Sequence, residues 1–235
     1  MYILVDYDNV DIPLRKNGVK NVLERIASTL CQHVPNLPQR FEFRLYGGWY
    51  DQTTMTRKAQ DISAQLTRDF PNVFIPFPTY QTKISLVLQA ELARALLVDP
   101  SNVLLHTFRE RARPSGICAM LLSGCLRPDC GLRHIKTLVE KGKCPEPGCV
   151  IKLENVLIKR EQKLVDVMLA CDLLHLVETR PSEFVVIVTS DQDLWPAIRQ
   201  VFEKTTLVIH IHTKRQQTPL YYSRSIGTRY TELML

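Results

Sequence analysis

Apolar and polar positions follow two different periods along the chain, which predicts strands alternating with helices. Residues 2–5 and 184–189 are short apolar runs, a pattern typical of strands buried on both faces of a sheet. Residues 19–34 repeat apolar positions at helical spacing, whereas residues 41–46 alternate them with polar positions, as a strand does. This order predicts an α/β fold in which helices cover both faces of a mainly parallel sheet.

The same reasoning predicts the remaining elements. Helices are expected at 55–70, 85–98, 165–177 and 194–204, and strands at 103–106, 150–158 and 206–212. Residues 114–149 break the pattern, because they hold five of the seven cysteines and four of the fourteen prolines. We therefore predict one α/β domain formed by residues 1–113 and 150–235, with residues 114–149 as an inserted module.

Charge and composition indicate what the protein binds and where it works. The net charge of +6 and the pI of about 9.0 suit a nucleic-acid partner, although solubility alone would explain them equally well. The N-terminus has no signal-peptide pattern, and no apolar run approaches the ~20 residues that span a bilayer. We therefore expect a cytoplasmic protein without a membrane partner, whose cysteines are thiols or metal ligands.

Acidic residues follow both apolar strands. Asp6 comes directly after the first strand, and Asp191 and Asp193 come just after the second. Because open parallel sheets bind ligands at the carboxyl ends of their strands, we expect these three carboxylates at one edge. Asp166, near the start of a predicted helix, could add a fourth. A single Asp after a strand can instead be a helix N-cap, and that alternative is strongest for Asp193.

Carboxylates gathered in this way need a cation. At ~4 Å and an effective dielectric of ~20, each like-charge pair costs roughly 4 kcal/mol. Hard oxygen ligands suit Mg²⁺ or Mn²⁺. One or two such ions can activate a water and stabilise the oxygens of a phosphodiester during hydrolysis. The acidic residues therefore predict a metal-dependent phosphodiesterase.

Three acidic motifs stand in order along the chain. They are Ile3-Leu-Val-Asp6-Tyr-Asp-Asn9, Lys163-Leu-Val-Asp166-Val-Met-Leu-Ala-Cys-Asp-Leu-Leu174 and Val185-Val-Ile-Val-Thr-Ser190-Asp191-Gln-Asp193-Leu-Trp-Pro196. Together they resemble the motifs of NYN domains, which belong to the PIN-like nuclease superfamily, and Tyr46-Gly47 is also similar. The resemblance covers about residues 1–110 and 155–235 and fails over the inserted module. It implies a three-layer α/β/α fold and a ribonuclease-type site, with RNA favoured over DNA.

The resemblance also implies roles for individual residues. Four acids would be ligands of Mg²⁺ or Mn²⁺, directly or through water: Asp6, Asp166, Asp191 and Asp193. Asn9 would hold the first loop or a ligand water, Lys163 would contact a phosphate, and Ser190 would support the third motif. The chain would then be an endonuclease that hydrolyses phosphodiester bonds.

Two other functions remain open on the sequence. The segment Asp6-Tyr-Asp8-Asn-Val10 also resembles the nucleophile loop of haloacid-dehalogenase-like phosphatases, in which the first Asp attacks phosphorus and the second is the acid/base. Asp191 and Asp193 lie closer together than the last acidic motif of that family usually has them. The other alternative is a non-catalytic nucleic-acid-binding module that keeps the fold.

Four cysteines form two evenly spaced pairs: Cys125 with Cys130, and Cys144 with Cys149. Each pair encloses four residues with turn-forming Pro and Gly nearby, so the two predict knuckles of a structural Zn²⁺ site. Metal binding would supply the folding energy that such a short segment lacks. Cys118 and His134 are reserve ligands. The module could extend a basic surface for nucleic acid, or contact a protein partner or a second copy of the chain.

Basic and aromatic residues suggest where nucleic acid would lie. The candidate basic contacts are Arg109, Arg111, Arg113, Lys214 and Arg215. Tyr46, Trp49 and Tyr50 follow the second strand and could stack an unpaired base, although packed rings would give the same pattern. His210 and His212 alternate along a predicted strand, and we expect them to be structural.

Overall fold

The computed structural model describes residues 1–76, 85–112, 117–118, 131–180, 184–202, 207–214 and 230–235. The chain divides into two compact units, one formed by Met1–Thr107 and Gln162–Leu235 and the other by Phe108–Glu161. The second unit is longer than the module predicted at 114–149, because it also contains a strand on each side of that segment.

The strands, in chain order, are β1 Tyr2–Asp6, β2 Arg40–Tyr46, β3 Tyr50–Asp51, β4 Thr54–Met55, β5 Asn72–Phe74, β6 Leu86–Leu92, β7 Phe108–Ala112, β8 Ile158–Gln162, β9 Val185–Val188, β10 Val208–His212 and β11 Tyr230–Met234. The α-helices are α1 Ile12–Lys16, α2 Val19–His33, α3 Arg57–Asp69, α4 Leu132–Lys141, α5 Val165–Thr179 and α6 Trp195–Phe202.

Among the described residues, the first unit contains a seven-stranded sheet in the order β11-β10-β9-β1-β2-β6-β5. All neighbouring pairs are parallel except β5 with β6. The prediction of a mixed α/β fold with a mainly parallel sheet is therefore confirmed. β1 lies between β2 and β9, and this position brings its carboxyl end beside theirs.

Alternate residues of β1 pack into two different apolar clusters. Ile3 and Val5 join a cluster that contains the buried residues of α2 and α3. Leu4 joins a second cluster with the buried residues of α5 and α6. Side chains of a strand alternate between the faces of a sheet, so the all-apolar run in β1 serves two cores.

Three predicted elements were wrong. The helix expected at 85–98 is strand β6, in which Leu86 and Leu88 are buried while Val87 between them is exposed, a period of two. Residues 103–106 form no strand, and 150–158 contains a 3₁₀ turn at Leu153–Asn155 before β8 begins. The apolar spacing of this segment was ambiguous between helix and strand. It forms a strand because β2 and β5 pair with it in the folded sheet.

The second unit contains α4, strand β7 and all of β8 except its last residue, Gln162. Ion pairs join the two strands: Arg109 with Glu161 at 2.9 Å and Arg160 with Glu110 at 2.7 Å. Within the described ranges of the chain, every helix is too short or too polar to cross a membrane.

Candidate metal centre

Three carboxylates meet at the carboxyl ends of β1 and β9. Asp6 is the last residue of β1, Asp191 lies in the turn after β9, and Asp166 is in the first turn of α5. One oxygen from each carboxylate lies within 4.8 Å of the other two. β1 and β9 are parallel neighbours, so their ends share the edge at which such sheets bind ligands. We call these three residues the acidic cluster.

Asp6 is the buried member of the acidic cluster. It is 4% exposed, and its Oδ2 accepts a 2.9 Å hydrogen bond from Thr189 Oγ1. Burial raises the pKa of Asp6 to about 6, against the lowering effect of the Thr189 hydrogen bond. The charge of Asp166 raises the pKa further. A cation beside this carboxylate would favour its ionised form.

Asp166 enters the cluster from the start of α5. Leu164, at the N-cap of this helix, has a φ of 65°, a left-handed conformation that costs a leucine of order 1–3 kcal/mol. Loss of hydration raises the pKa of Asp166, and the charges of Asp191 and Asp193 raise it as well. Backbone strain and mutually repelling acids both concentrate at functional sites.

Asp191, not Asp193, caps the helical turn after β9. Its Oδ1 accepts a 2.9 Å hydrogen bond from the N–H of Asp193, within a 3₁₀ helix over Gln192–Leu194. The sequence suggested Asp193 as the helix N-cap, and that prediction was wrong. Asp191 is the N-cap because the 3₁₀ turn Gln192–Leu194 precedes α6. Asp193 is exposed and lies outside the acidic cluster, although its charge still raises the pKa of Asp166.

Thr213 connects the predicted supporting residues Asn9 and Ser190. Its hydroxyl donates to the Asn9 carbonyl oxygen at 2.9 Å, and its N–H donates to Ser190 Oγ at 2.9 Å. The N–H of Lys214 also donates to Ser190 Oγ at 2.9 Å. Because β10 is parallel to β9, Lys214 lies after the carboxyl end of β10, at the edge that carries the acidic cluster. Asn9 and Ser190 thus hold neighbouring strand exits together.

Sequence reasoning missed Thr189 and Thr213. Each is a buried threonine directly after a fully buried strand, β9 and β10 respectively. Besides bonding Asp6, Thr189 Oγ1 accepts a 3.0 Å hydrogen bond from the N–H of Asp191. Their position in the sequence could have identified them, because a polar residue at the end of a buried strand needs a hydrogen-bond partner at that edge of the sheet.

Asp8 is held by several donors. Its carboxylate contacts the Lys58 ammonium and the Gln162 amide, accepts a 3.1 Å hydrogen bond from the N–H of Gly48, and lies 3.5 Å from Arg15 Nη1. This carboxylate therefore anchors the loop after β1 to the loop after β2. It is not placed as an uncommitted acid/base, which the phosphatase alternative requires.

Trp49 does not offer a stacking surface, so that prediction was wrong. The residue is fully buried, its Nε1 donates to the Leu45 carbonyl oxygen at 3.0 Å, and its ring packs beside Tyr7. Tyr46 is also buried, while Tyr50 is half-buried. The turn at Gly47 brings the indole back under the sheet: a Cβ at Gly47 would lie 2.7 Å from the Trp49 ring.

The predicted basic contacts fall in different parts of the chain. Lys163 is exposed, and its N–H donates to the Thr107 carbonyl oxygen at 2.9 Å. Arg109 is paired with Glu161 in the second unit. Of Arg111 only the backbone is described, in β7, and Arg113 and Arg215 lie outside the described residues. Their contacts with nucleic acid stay predictions.

One of the two cysteine pairs can be described. The N–H of Cys144 donates to the Ile151 carbonyl oxygen at 2.9 Å, and the N–H of Cys149 donates to that of Glu146 at 3.1 Å, which shapes a turn. Both are free thiols, as is the exposed Cys118. His134 Nδ1 lies 3.2 Å from Glu146 Oε1. Cys125 and Cys130 lie outside the described residues, so the four-thiolate Zn²⁺ site stays a prediction.

Comparison of the chain with protein-family models, with curated proteins and with solved structures gave no match. The likeness to NYN domains therefore depends on the three sequence motifs, and the candidate site on the geometry of its own residues.

Proposed function

We propose that this protein is a divalent-metal-dependent nuclease of the PIN-like type, with a three-layer α/β/α domain and with RNA as its favoured substrate. The observation that carries the proposal is the acidic cluster, in which Asp6, Asp166 and Asp191 bring carboxylate oxygens within 4.8 Å of one another at the end of a parallel sheet.

The donor set fits Mg²⁺ or Mn²⁺. Its three side chains offer hard oxygen atoms, and the raised pKa values of Asp6 and Asp166 reflect burial and negative charge that a cation would relieve. Asp6, Asp166 and Asp191 would hold the ion, and Asp193 would act through a water. An ion bound here neutralises charge on the phosphate and lowers the pKa of a water.

The chain's own residues prepare the site. Thr189 fixes the Asp6 carboxylate and the Asp191 backbone through one hydroxyl. Thr213 ties the loop after β10 to the loop after β1. Lys214, exposed at this edge, and Lys163, beside α5, are cations suited to a phosphate backbone.

The alternatives receive less support. A haloacid-dehalogenase-like phosphatase would need Asp8 as its acid/base, yet Asp8 is engaged by Lys58, Gln162 and Gly48. A non-catalytic binding module would have no use for carboxylates held close together with raised pKa values.

The proposal also includes a structural Zn²⁺ on Cys125, Cys130, Cys144 and Cys149, a cytoplasmic location, and a partner surface on the cysteine module.

The test is metal-dependent cleavage by the whole protein. Purified protein with Mg²⁺ or Mn²⁺ is incubated with total RNA, tRNA and single-stranded DNA. Asp191→Asn and Asp6→Asn should lower the cleavage rate by roughly 10²-fold or more, since several kcal/mol of charge stabilisation are lost. Asp61→Asn, the same change on the exposed surface of α3, is the matched control. Undiminished cleavage by Asp191→Asn would overturn the proposal.

A further inference from the structure

Four polar side chains share one face of the sheet at β10 and β11. His210 and His212 are two residues apart on β10, so they point to the same side. Glu232 pairs in register with His210, and Tyr230 lies two residues before it on β11. The intervening Ile209 and Ile211 face the opposite core. Both histidines are buried, at 5% and 3% exposure.

The hydrogen bonds of His210 determine which nitrogen carries a lone pair. Its Nε2 lies 3.0 Å from the Thr189 carbonyl oxygen, which can only accept, so Nε2 carries the proton. Nδ1 then presents its lone pair toward Tyr230 Oη, 2.8 Å away. Histidines that bind metals typically donate their other N–H to a backbone carbonyl in this way, which orients the ring.

The Tyr230 hydroxyl lies between two hydrogen-bond acceptors. Tyr230 Oη lies 2.8 Å from His210 Nδ1 and 2.7 Å from Glu232 Oε1, and it has one proton for two acceptors. If His210 is neutral and Glu232 ionised, that single proton can serve only one of the two acceptors. Burial disfavours a second proton on the imidazole. A cation on His210 Nδ1 would have to displace the Tyr230 hydroxyl from that nitrogen, which would leave the Tyr230 proton for Glu232.

We propose that His210 Nδ1, His212 Nε2 and Glu232 Oε1 bind a divalent transition-metal ion, for which Zn²⁺ is the probe. One potential ligand atom from each of the three residues lies within 4.8 Å of the other two. Tetrahedral ligands at ~2.1 Å from Zn²⁺ are about 3.4 Å apart. The distance between His212 Nε2 and Glu232 Oε1 is 3.4 Å.

The chemistry of this site differs from that of the acidic cluster. Two imidazoles and one carboxylate suit Zn²⁺ and its neighbours in the first transition series, whereas the all-oxygen acidic cluster suits Mg²⁺ or Mn²⁺. The proposal therefore does not depend on nuclease activity, and the two sites can be distinguished by the metal they retain.

The position of the site indicates a structural ion. It would join β10 to β11, which is the end strand of the sheet. It would also hold the His210 ring against Thr189, whose hydroxyl bonds Asp6. An ion here would therefore stiffen the support behind the acidic cluster.

The experiment measures the metal content of the 235-residue chain. A parent with Cys125→Ser, Cys130→Ser, Cys144→Ser and Cys149→Ser removes the four thiolates of the proposed cysteine site. The chelator-stripped parent is dialysed against Zn²⁺ and its metal content is measured by mass spectrometry. We expect one retained equivalent in the parent and in the parent carrying Asp191→Asn. Glu232→Gln and His212→Gln should each lose it, and Zn²⁺ should raise the Tm of the parent but not that of Glu232→Gln.

Two outcomes would overturn the proposal: a parent that retains no Zn²⁺, or a Glu232→Gln variant that retains as much as the parent. Either result would mean that these four residues are joined by hydrogen bonds and do not bind a metal ion. Circular dichroism establishes that each variant is folded. Should His212→Gln not fold, X-ray absorption of the Zn²⁺-loaded parent decides the matter, because imidazole ligands must appear around the ion, and a shell of oxygen or sulfur ligands alone would contradict the site.

Discussion

The hydroxyl of Thr189 donates a 2.9 Å hydrogen bond to Oδ2 of Asp6, and both residues are buried. The same hydroxyl accepts from the N–H of Asp191, so one small side chain positions two members of the acidic cluster. This relation makes Thr189 the most informative position outside the acids themselves.

Thr189→Val should impair metal binding while keeping the shape of the strand exit. The valine cannot donate to Asp6, which leaves a buried carboxylate oxygen without its donor and costs about 1–3 kcal/mol of stability. Because the lost hydrogen bond lowers the pKa of Asp6, that pKa should rise. The affinity for Mn²⁺ is measured by titration at pH values from 8 down to 5. As the pH is lowered, the affinity of the variant should begin to fall at a higher pH than that of the wild type. Thr189→Ser keeps the hydroxyl and is the control; an identical response of Val and Ser would contradict the role.

Asp6→Asn should stabilise the metal-free protein at neutral pH. The pKa of Asp6 is raised from 3.8 to about 6, so the folded state holds the proton more tightly than the unfolded state. The stability that protonated Asp6 gives to the folded state is complete below pH ~4 and is lost as pH rises through about 6. A shift of this size corresponds to roughly 3 kcal/mol.

Urea unfolding at several pH values, with chelator present, measures this effect. The difference between Asp6→Asn and wild type should be small near pH 4 and should favour the variant by pH 7. Asp61→Asn, on the exposed surface of α3, is the control. A difference that is constant from pH 4 to pH 7 would contradict the raised pKa.

Asp8→Asn should act on stability rather than on chemistry. The substitution weakens the contacts with Lys58 and Gln162, and a hydrogen bond to a charged group is worth about 1.5–3 kcal/mol. We expect a lower urea midpoint with cleavage largely retained below the unfolding transition. Asp11→Asn, on an exposed residue nearby, is the comparison. Loss of a phosphatase activity without loss of stability would instead favour the aspartyl-nucleophile alternative.

Asp172→Asn should be severely destabilising, although Asp172 lies in the second acidic motif. Its fully buried carboxylate accepts hydrogen bonds from Arg44 Nε at 2.9 Å, Tyr46 Oη at 2.6 Å and the N–H of Leu97 at 2.7 Å. Removing one partner of a buried ion pair typically costs about 3–5 kcal/mol. Thermal unfolding measures the loss. Asp166→Asn is the matched change in the same helix, and it should reduce metal binding while sparing stability.

The sequence by itself determined that β1 and β9 would be buried strands and which residues would follow them. The apolar runs of β1 and β9 can satisfy their side chains only inside a sheet covered on both faces. In a parallel sheet such strands end at a common edge, so the proximity of Asp6 and Asp191 was predictable from local pattern. The placement of Asp166 depended on resemblance to known motifs, because nothing local says where a helix begins relative to the sheet.

Tertiary structure decided what local spacing leaves open. Residues 86–92 became strand β6 because β2 and β5 supplied partners, and Trp49 was buried because the turn at Gly47 returns it to the core. The group of His210, His212 and Glu232 likewise exists only because β11 pairs with β10 in one register. Hydrophobic periodicity specifies the face of each strand, but the neighbour of that strand is chosen by packing of the whole sheet.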